Sequence, residues 1–238
     1  MAEKILVIVA ARAGSKGVKN KNIRNLCGKP LIAHTILQAK RWGKANRLIC
    51  STDSEKIAQI AIEYGAEVPF IRPKNLSGDT IGKISVLRHA LSKIEAQSGY
   101  RFNIIIDLDA TAPIRRPIDI ENALRIFKKN KRNPVFSVTA SRKNPYFNMV
   151  EIDKNGFAHL VKKAKTEFLR RQDAPLVYDM NASIYIYSRE YLLDNNTKTA
   201  ISNKSVVLVM EDWSAFDIDR ESDFQLVEFF AKKGLIKL

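Results

Sequence analysis

The sequence predicts an α/β fold with a mostly parallel sheet and helices on both faces. Short apolar runs alternate with helical patterns through the first half of the 238 residues. This alternation is typical of strand–helix–strand units, in which helices cover both faces of parallel strands. A hydrophobic fraction of 45% is enough for one domain with an elaboration. We therefore expect a single domain over residues 1–238.

Strands and helices alternate regularly up to the middle of the chain. The predicted strands are Ile5–Ala10, Arg47–Cys50, Glu67–Ile71 and Asn103–Leu108. The predicted helices are Leu31–Trp42, Ser54–Tyr64, Ile81–Ala96 and Pro117–Asn130. Ligands of such sheets bind beyond the carboxyl ends of the strands. The loops that follow strands are therefore where we expect the chemistry.

The regular alternation ends after Pro134. Further strands are predicted at Val135–Thr139, Ser183–Tyr187 and Ser205–Met210, and a closing helix at Glu221–Lys232. Between them, polar and apolar residues alternate over Asn144–Val161 around an Asn-Gly pair, which predicts a β-hairpin. This hairpin, within residues 140–182, is the expected elaboration. An isolated hairpin would expose too much apolar surface to water through its Tyr146, Phe147, Met149 and Phe157. We therefore expect the hairpin to support a dimer.

The charge of the chain points to an anionic partner. Forty Lys and Arg residues against 25 Asp and Glu residues give a net charge of +15, which suits a nucleotide, a nucleic acid or an acidic sugar. A nucleic-acid-binding domain is disfavoured because no RRM, KH or helix-turn-helix pattern occurs. Cys27 and Cys50 lack metal-site or disulfide spacing. The apolar run Ile5–Ala11 resembles a signal peptide only at the lower length limit and suits a buried first strand equally well, and no segment approaches the length of a transmembrane helix. We expect a cytoplasmic protein with no membrane partner.

The loop after the first strand carries the first candidate site. Its glycines, Gly14 and Gly17, let backbone N–H groups approach phosphate oxygens, and Arg12, Lys16 and Lys21 can neutralise a triphosphate. The loop lacks both the Gly-Lys-Ser/Thr ending of a Walker A motif and the three glycines of a dinucleotide fingerprint. The missing fingerprint argues against a nicotinamide-dependent dehydrogenase. A basic surface turn is the structural alternative.

An acidic pair precedes the closing helix. Residues two apart on an extended segment point the same way, so Asp217 and Asp219 would converge while Ile218 faces the core. Two adjacent carboxylates repel each other, and a divalent cation commonly relieves that repulsion. The alternative is that Asp219 only caps the helix.

Other polar segments follow the remaining strands. In Ser51–Glu55, a capping box of Thr52 with Glu55 is the favoured explanation. Arg72-Pro73 and Ser77–Thr80 suit either nucleotide contacts or a turn and a helix cap. Asp107–Pro113 lies where the ligand edge of the sheet is predicted.

Taken in order, these segments resemble the acylneuraminate cytidylyltransferase family over nearly the whole chain. The resemblance is carried by Ala11-Arg12-x-Gly14-Ser15-Lys16-Gly17 with Lys21-Asn22, Gly28-Lys29-Pro30-Leu31, Ser51-Thr52-Asp53, Arg72-Pro73 with Asp79-Thr80, Thr111-x-Pro113-x-Arg115, Arg171-Gln172 with Asn181, and Asp217-x-Asp219. It implies a Rossmann-like nucleotidyltransferase fold and a homodimer in which a protruding β-element reaches the neighbouring subunit.

The resemblance also implies the ligands and their residues. CTP would be held by Ala11, Arg12, Gly14, Ser15, Lys16, Lys21, Asn22, Arg72, Asp79 and Thr80. Mg²⁺ would be bound by Asp217 and Asp219, which with Arg12, Lys16 and Lys21 form the catalytic set. An acidic nine-carbon sugar would contact Asp109, Thr111, Arg171, Gln172, Asn181 and Tyr185.

Two departures bear on the sugar. Asp109 stands where the sialic acid enzymes commonly have Gln, and Asp179–Ala182 replaces their Arg-x-Asn-Gly. Asn144–Asn148 and Tyr178–Tyr185 look most like the bacterial branch that acts on legionaminic acid. The resemblance thus implies transfer of CMP from CTP to the anomeric hydroxyl of legionaminic acid or a related acid, with release of pyrophosphate. N-acetylneuraminate or another keto-acid sugar is the alternative.

Overall fold

The computed structural model describes residues 3–14, 16–166 and 168–238. Its strands are β1 (Ile5–Ala10), β2 (Asn25–Leu26), β3 (Lys29–Pro30), β4 (Arg47–Ser51), β5 (Ile104–Leu108), β6 (Val135–Ala140), β7 (Val150–Ile152), β8 (Ala158–Leu160), β9 (Tyr178–Ser188) and β10 (Val206–Val209). Its α-helices are α1 (Leu31–Trp42), α2 (Glu55–Glu63), α3 (Lys83–Ser98), α4 (Pro117–Lys129), α5 (Arg189–Leu193) and α6 (Glu221–Lys232).

The predicted α/β architecture is confirmed. Six strands form the central sheet in the order β10-β6-β9-β5-β1-β4. The pairs β1–β4, β1–β5 and β6–β10 are parallel, whereas β9 runs antiparallel to both β5 and β6. In β1, Val7 packs with α1 and α4 on one face and Ile8 with α3 on the other. Successive strand residues point to opposite faces, and both faces are covered, so the central strands are apolar throughout.

One predicted strand is wrong. Glu67–Ile71 makes only isolated parallel bridges, Ile49 with Glu67 and Thr52 with Ile71, at the edge of β4. Pro69 lies between the two bridges and has no N–H to donate, so a continuous ladder cannot form there. The segment still runs beside β4 and delivers Arg72 to the ligand edge.

The predicted capping box of Thr52 with Glu55 is also wrong. The N-cap of α2 is Ser54, whose hydroxyl accepts a hydrogen bond from the Ile57 N–H at 3.4 Å. The Thr52 hydroxyl instead accepts from the Ser54 N–H at 3.2 Å. Thr52 therefore shapes the turn that precedes the helix.

The predicted hairpin is present as β7 and β8, but it is shorter than the predicted Asn144–Val161. Residues 145–148 form a turn before β7, and Tyr146 and Phe147 are half-buried there. The strands pair Val150 with Leu160 and Ile152 with Ala158, and both are exposed along their whole length. At the turn, the Asp153 carboxylate accepts hydrogen bonds from the backbone N–H groups of Asn155 and Phe157. The hairpin therefore presents its apolar side chains to solvent.

In the described part of the chain, none of the helices has the length and apolar composition needed to span a membrane.

Candidate active site

A pocket of about 430 Å³ opens where the loops after β1 and β5 meet the start of α3 and the segment before α6. This is the ligand edge that the fold predicts. The pocket gathers many of the predicted site residues: Ala11, Arg12, Lys16, Lys21, Asn22, Arg72, Asp109, Thr111, Asp217 and Asp219.

The loop after β1 packs directly against the acidic segment. The Lys21 ammonium donates hydrogen bonds to the Ile218 carbonyl at 2.8 Å and to Asp219 Oδ1 at 2.9 Å. Gly17 lies so close that a Cβ there would be 1.8 Å from the Asp219 carbonyl oxygen. Only glycine fits at this position. The two strongest sequence motifs thus form one surface.

The predicted orientation of the acidic segment is correct. Ile218 is fully buried, whereas Asp217 and Asp219 both line the pocket. Asp217 Oδ1 is buried and has no hydrogen-bond partner. Burial raises the pKa of Asp217 to about 6; the Thr111 hydroxyl opposes this shift, and the nearby charges of Asp109 and Asp219 add to it.

The alternative role of Asp219 as a helix cap is wrong. The N-cap of α6 is Arg220, and its backbone N–H donates to Asp223 Oδ2 at 2.7 Å. The Asp219 side chain is turned towards Lys21 and is 71% exposed. Asp223 completes the cap, so the Asp219 carboxylate is left to the pocket.

Two basic side chains of the loop after β1, Arg12 and Lys16, pair with an acidic side chain from another loop. Asp79 forms ion pairs with Arg12 and with Lys16, the latter at 2.6 Å between Nζ and Oδ2. Lys16 and Arg12 lower the pKa of Asp79 by hydrogen bonding to it. Asp79 thus pairs with two of the side chains predicted to bind phosphate, and an incoming triphosphate would compete with Asp79 for them.

Arg72 is a buried cation with unused donors. Its Nε and one terminal nitrogen have no hydrogen-bond partner, and its nearest acid, Asp53, is 4.0 Å away. Burial lowers the pKa of the guanidinium. Buried donors without partners are costly unless a ligand satisfies them. Arg72 lines the pocket and can therefore donate to a bound molecule.

A cation that sequence reasoning missed lies beside Asp109. The Lys83 ammonium is 2.8 Å from Asp107 Oδ2 and 2.7 Å from Asp109 Oδ2. The Thr111 backbone N–H and hydroxyl donate to Asp109 Oδ1 at 3.2 and 3.0 Å. The one signal in the sequence was a lysine in the first turn of a predicted helix, where the helix dipole disfavours cations.

Burial and charge act against each other in this cluster. Burial raises the pKa of Asp107 despite the adjacent Lys83. At Asp109, burial would also raise the pKa, but Lys83 and the Thr111 hydrogen bonds lower it below its ordinary range. Burial would lower the pKa of Lys83, but Asp107 and Asp109 outweigh it and hold that pKa well above normal.

Arg115 fixes the loop after β5 from beneath. Its guanidinium is buried and donates to the Asp109 carbonyl at 2.8 Å, the Ala112 carbonyl at 3.1 Å and the Ser183 hydroxyl at 3.0 Å. Burial lowers the pKa of Arg115 to about 10. The arginine of the Thr-x-Pro-x-Arg motif thus orders the backbone that presents Asp109 and Thr111.

Other predicted site residues are not brought to the pocket lining. The Asn181 amide is buried; it accepts from the Ser137 hydroxyl at 2.6 Å and donates to the Ser214 hydroxyl at 3.0 Å. Tyr185 is buried, with its ring centroid 4.8 Å from the Lys83 ammonium. The remaining described residues outside the lining are exposed: Gly14, Asp79, Thr80, Arg171 and Gln172. Ser15 lies outside the described residues.

Comparison with known proteins adds to this geometry. Residues 6–232 match a family model described as cytidylyltransferase. The chain is 45% identical over 229 residues to the CMP-N,N'-diacetyllegionaminic acid synthase of Campylobacter jejuni, covering 96% of this chain and 95% of the relative. It is 43% identical, with the same coverage, to the post-translational flagellin modification protein B of Campylobacter coli.

A solved structure shares the fold. It is the CMP:2-keto-3-deoxy-manno-octonic acid synthetase complexed with CTP, which superimposes with a TM-score of 0.70 and 17% sequence identity. The match covers 98% of this chain and 100% of that chain.

Proposed function

Because the chain belongs to the cytidylyltransferase family, we propose that it transfers CMP from CTP to the anomeric hydroxyl of a nonulosonic acid. The observation that carries this proposal is that the cationic loop after β1 and the acidic segment before α6 line the same pocket. Legionaminic acid or a close derivative is the proposed sugar. The motifs at Asn144–Asn148 and Tyr178–Tyr185 support it, as does the 45% identity to a CMP-N,N'-diacetyllegionaminic acid synthase.

The anomeric oxygen attacks the α-phosphorus of CTP in line. A new oxygen–phosphorus bond forms, the bond to the β-phosphate oxygen breaks, and pyrophosphate leaves. Such a transfer depends mainly on positioning and charge stabilisation. Arg12 and Lys16 are suited to the pyrophosphate charge once the triphosphate displaces Asp79, and Lys21 stands beside them. The unused donors of Arg72 are suited to the nucleotide.

The acidic pair fits a divalent cation. Asp217 offers an oxygen that has no hydrogen-bond partner, and Asp219 offers a largely exposed carboxylate. Within the described part of the chain no cluster of three or more Asp, Glu, His or Cys side chains could hold a metal, so phosphate oxygens and water would complete the shell. Mg²⁺ bound there would neutralise phosphate charge and orient the triphosphate.

The metal proposal is tested by charge removal. Asn at position 217 or 219 keeps the shape of Asp and removes the charge that a hard cation requires. We expect Asp217→Asn and Asp219→Asn to lose kcat/KM by about two orders of magnitude or more and to need higher Mg²⁺. Near-normal turnover of both variants at low Mg²⁺ would remove the metal from the proposal.

On the sugar side, Asp109 and Thr111 are the predicted contacts that line the pocket. Lys83 and Thr111 favour the ionised form of Asp109, which can accept hydrogen bonds from sugar hydroxyl or amide groups. The proposal therefore places the sugar over the end of β5 and the triphosphate over the end of β1.

Pyrophosphate release tests the reaction itself. CTP, UTP, ATP and GTP are each assayed with a panel of nonulosonic acids that includes legionaminic and N-acetylneuraminic acids. We expect CTP to be preferred among the nucleotides and a legionaminic acid among the sugars. Comparable turnover with ATP, or no release with any of the acids, would refute the proposed function.

The exposed hairpin is the proposed dimer element. Val150 and Ile152 on β7 are 58% and 74% exposed, and Phe157 in the turn before β8 is 65% exposed. Scattered apolar residues are normal on a surface, but a two-stranded hairpin that exposes several of them is unfavourable without a partner. A second copy of the chain is the proposed partner.

A further inference from the structure

Lys83 joins three parts of the pocket that lie far apart in the sequence. It is the first residue of α3, and its ammonium pairs with Asp107 at the end of β5 and with Asp109 just beyond it. The same ammonium lies 4.8 Å from the centroid of the Tyr185 ring on β9. Asp109 and Tyr185 are both residues that the sequence assigns to the sugar.

We propose that Lys83 is the positioning residue of the sugar half of the pocket, because it fixes Asp109 and Tyr185 relative to each other. This proposal rests on the proposed function, in which Asp109 contacts the sugar. An ammonium has three N–H donors, and here two carboxylates and an aromatic face surround it. Lys83 is thereby held in one place, and it holds its neighbours in turn.

Both oxygens of Asp109 are fixed by this arrangement. Oδ1 accepts from the Thr111 N–H and hydroxyl, and Oδ2 pairs with Lys83. Loss of Lys83 leaves Oδ2 without that partner and allows the carboxylate to rotate. A sugar donor that depends on its direction would then bind more weakly, since site geometry must hold within about 0.5 Å.

The nucleotide half of the pocket is held by other acids. Asp79 pairs with Arg12 and Lys16, and Asp219 pairs with Lys21. A change at Lys83 should therefore affect the two substrates unequally. This inequality separates positioning of the sugar site from a general structural role.

The test is Lys83→Met, which keeps the length of the side chain and removes its charge, with KM measured for each substrate at saturating levels of the other. We expect the sugar KM to rise about tenfold to a hundredfold, the scale of losing support behind a binding residue. The CTP KM should change less than about threefold. Lys93→Met, an exposed lysine on the same helix, is the matched control and should leave both values unchanged.

Lys83→Arg keeps the test decisive if Lys83→Met does not fold. Arginine keeps the charge that Asp107 and Asp109 need but replaces a compact ammonium by a longer planar group. A selective rise in the sugar KM in either folded variant supports the proposal. An unchanged sugar KM, or equal rises for both substrates, overturns it. A wild-type enzyme that releases no pyrophosphate with any acid refutes the proposed function instead.

Discussion

The buried charge of Asp217, a proposed metal ligand, should make the free protein less stable. Its pKa of about 6, against an ordinary value of 3.8, reflects the cost of a buried charge. Each tenfold change in an ionisation constant is worth about 1.4 kcal/mol, so the cost at neutral pH is roughly 3 kcal/mol. Asp217→Asn removes the charge and keeps the shape. The variant should therefore be more stable than the wild type by up to about 3 kcal/mol at about pH 8.

The pH dependence has a definite sign. Because the folded-state pKa is raised above the unfolded value, the destabilisation is absent below about pH 4 and grows between about pH 4 and 6. Above about pH 6 it is complete. The stability difference between Asp217→Asn and the wild type should therefore vanish near pH 4.

Urea unfolding followed by circular dichroism, with EDTA present, measures this difference. Asp219→Asn is the control: its carboxylate is 71% exposed, and loss of an exposed ion pair changes stability by about 1 kcal/mol or less. Added Mg²⁺ should stabilise the wild type and not Asp217→Asn. An Asp217→Asn variant that is no more stable than the wild type at about pH 8, or whose gain persists near pH 4, would refute the reasoning.

Three further predictions test the loop and the hairpin. Gly17→Ala should lower kcat/KM by about a hundredfold, since its Cβ would clash with the Asp219 carbonyl and a misplacement of about 1 Å can cost that much. Gly78→Ala is the control and should be tolerated, because its Cβ meets its nearest atom at 3.7 Å. Equal kinetics for the two variants would contradict the contact between Gly17 and Asp219. Lys21→Ala should lower kcat/KM by roughly tenfold to a thousandfold and stability by about 1 kcal/mol, because two hydrogen bonds are lost. Intact activity would leave Lys21 only a structural role, in which it ties the loop after β1 to the acidic segment. Sedimentation should find a dimer at micromolar concentration that Ile152→Asp weakens, and a wild-type monomer would exclude the hairpin contact.

Local patterns determined the elements that sequence reasoning located well. The bounds of α1 and α6 match the prediction, because the helical period and the flanking residues are properties of adjacent positions. The hairpin at β7 and β8 followed from alternation around an Asn-Gly turn for the same reason. The ligand edge followed from topology, since loops after parallel strands share one side of a sheet.

Contacts between distant residues could not be predicted in the same way. The sequence could place Lys83 in a first helical turn, but its pairing with Asp107 and Asp109 depends on how α3 crosses the sheet. Asn181 belongs to a family motif, yet the fold turns its amide inward to Ser137 and Ser214. A polar side chain on a strand has the same local pattern whether it meets a ligand or the core.

The sequence by itself determined the α/β class, the cationic loop, the acidic pair and the family, because each depends on periodicity or on an ordered series of short motifs. Only the tertiary structure decided that Gly17 touches the segment of Asp219 and that Asp79 pairs with Arg12 and Lys16. The pairing of Lys83 with Asp107 and Asp109 was likewise decided by the tertiary structure. These are distances between separate elements. They are set by the packing of the whole core, to which every element contributes. A short stretch of sequence therefore does not contain the information that determines them.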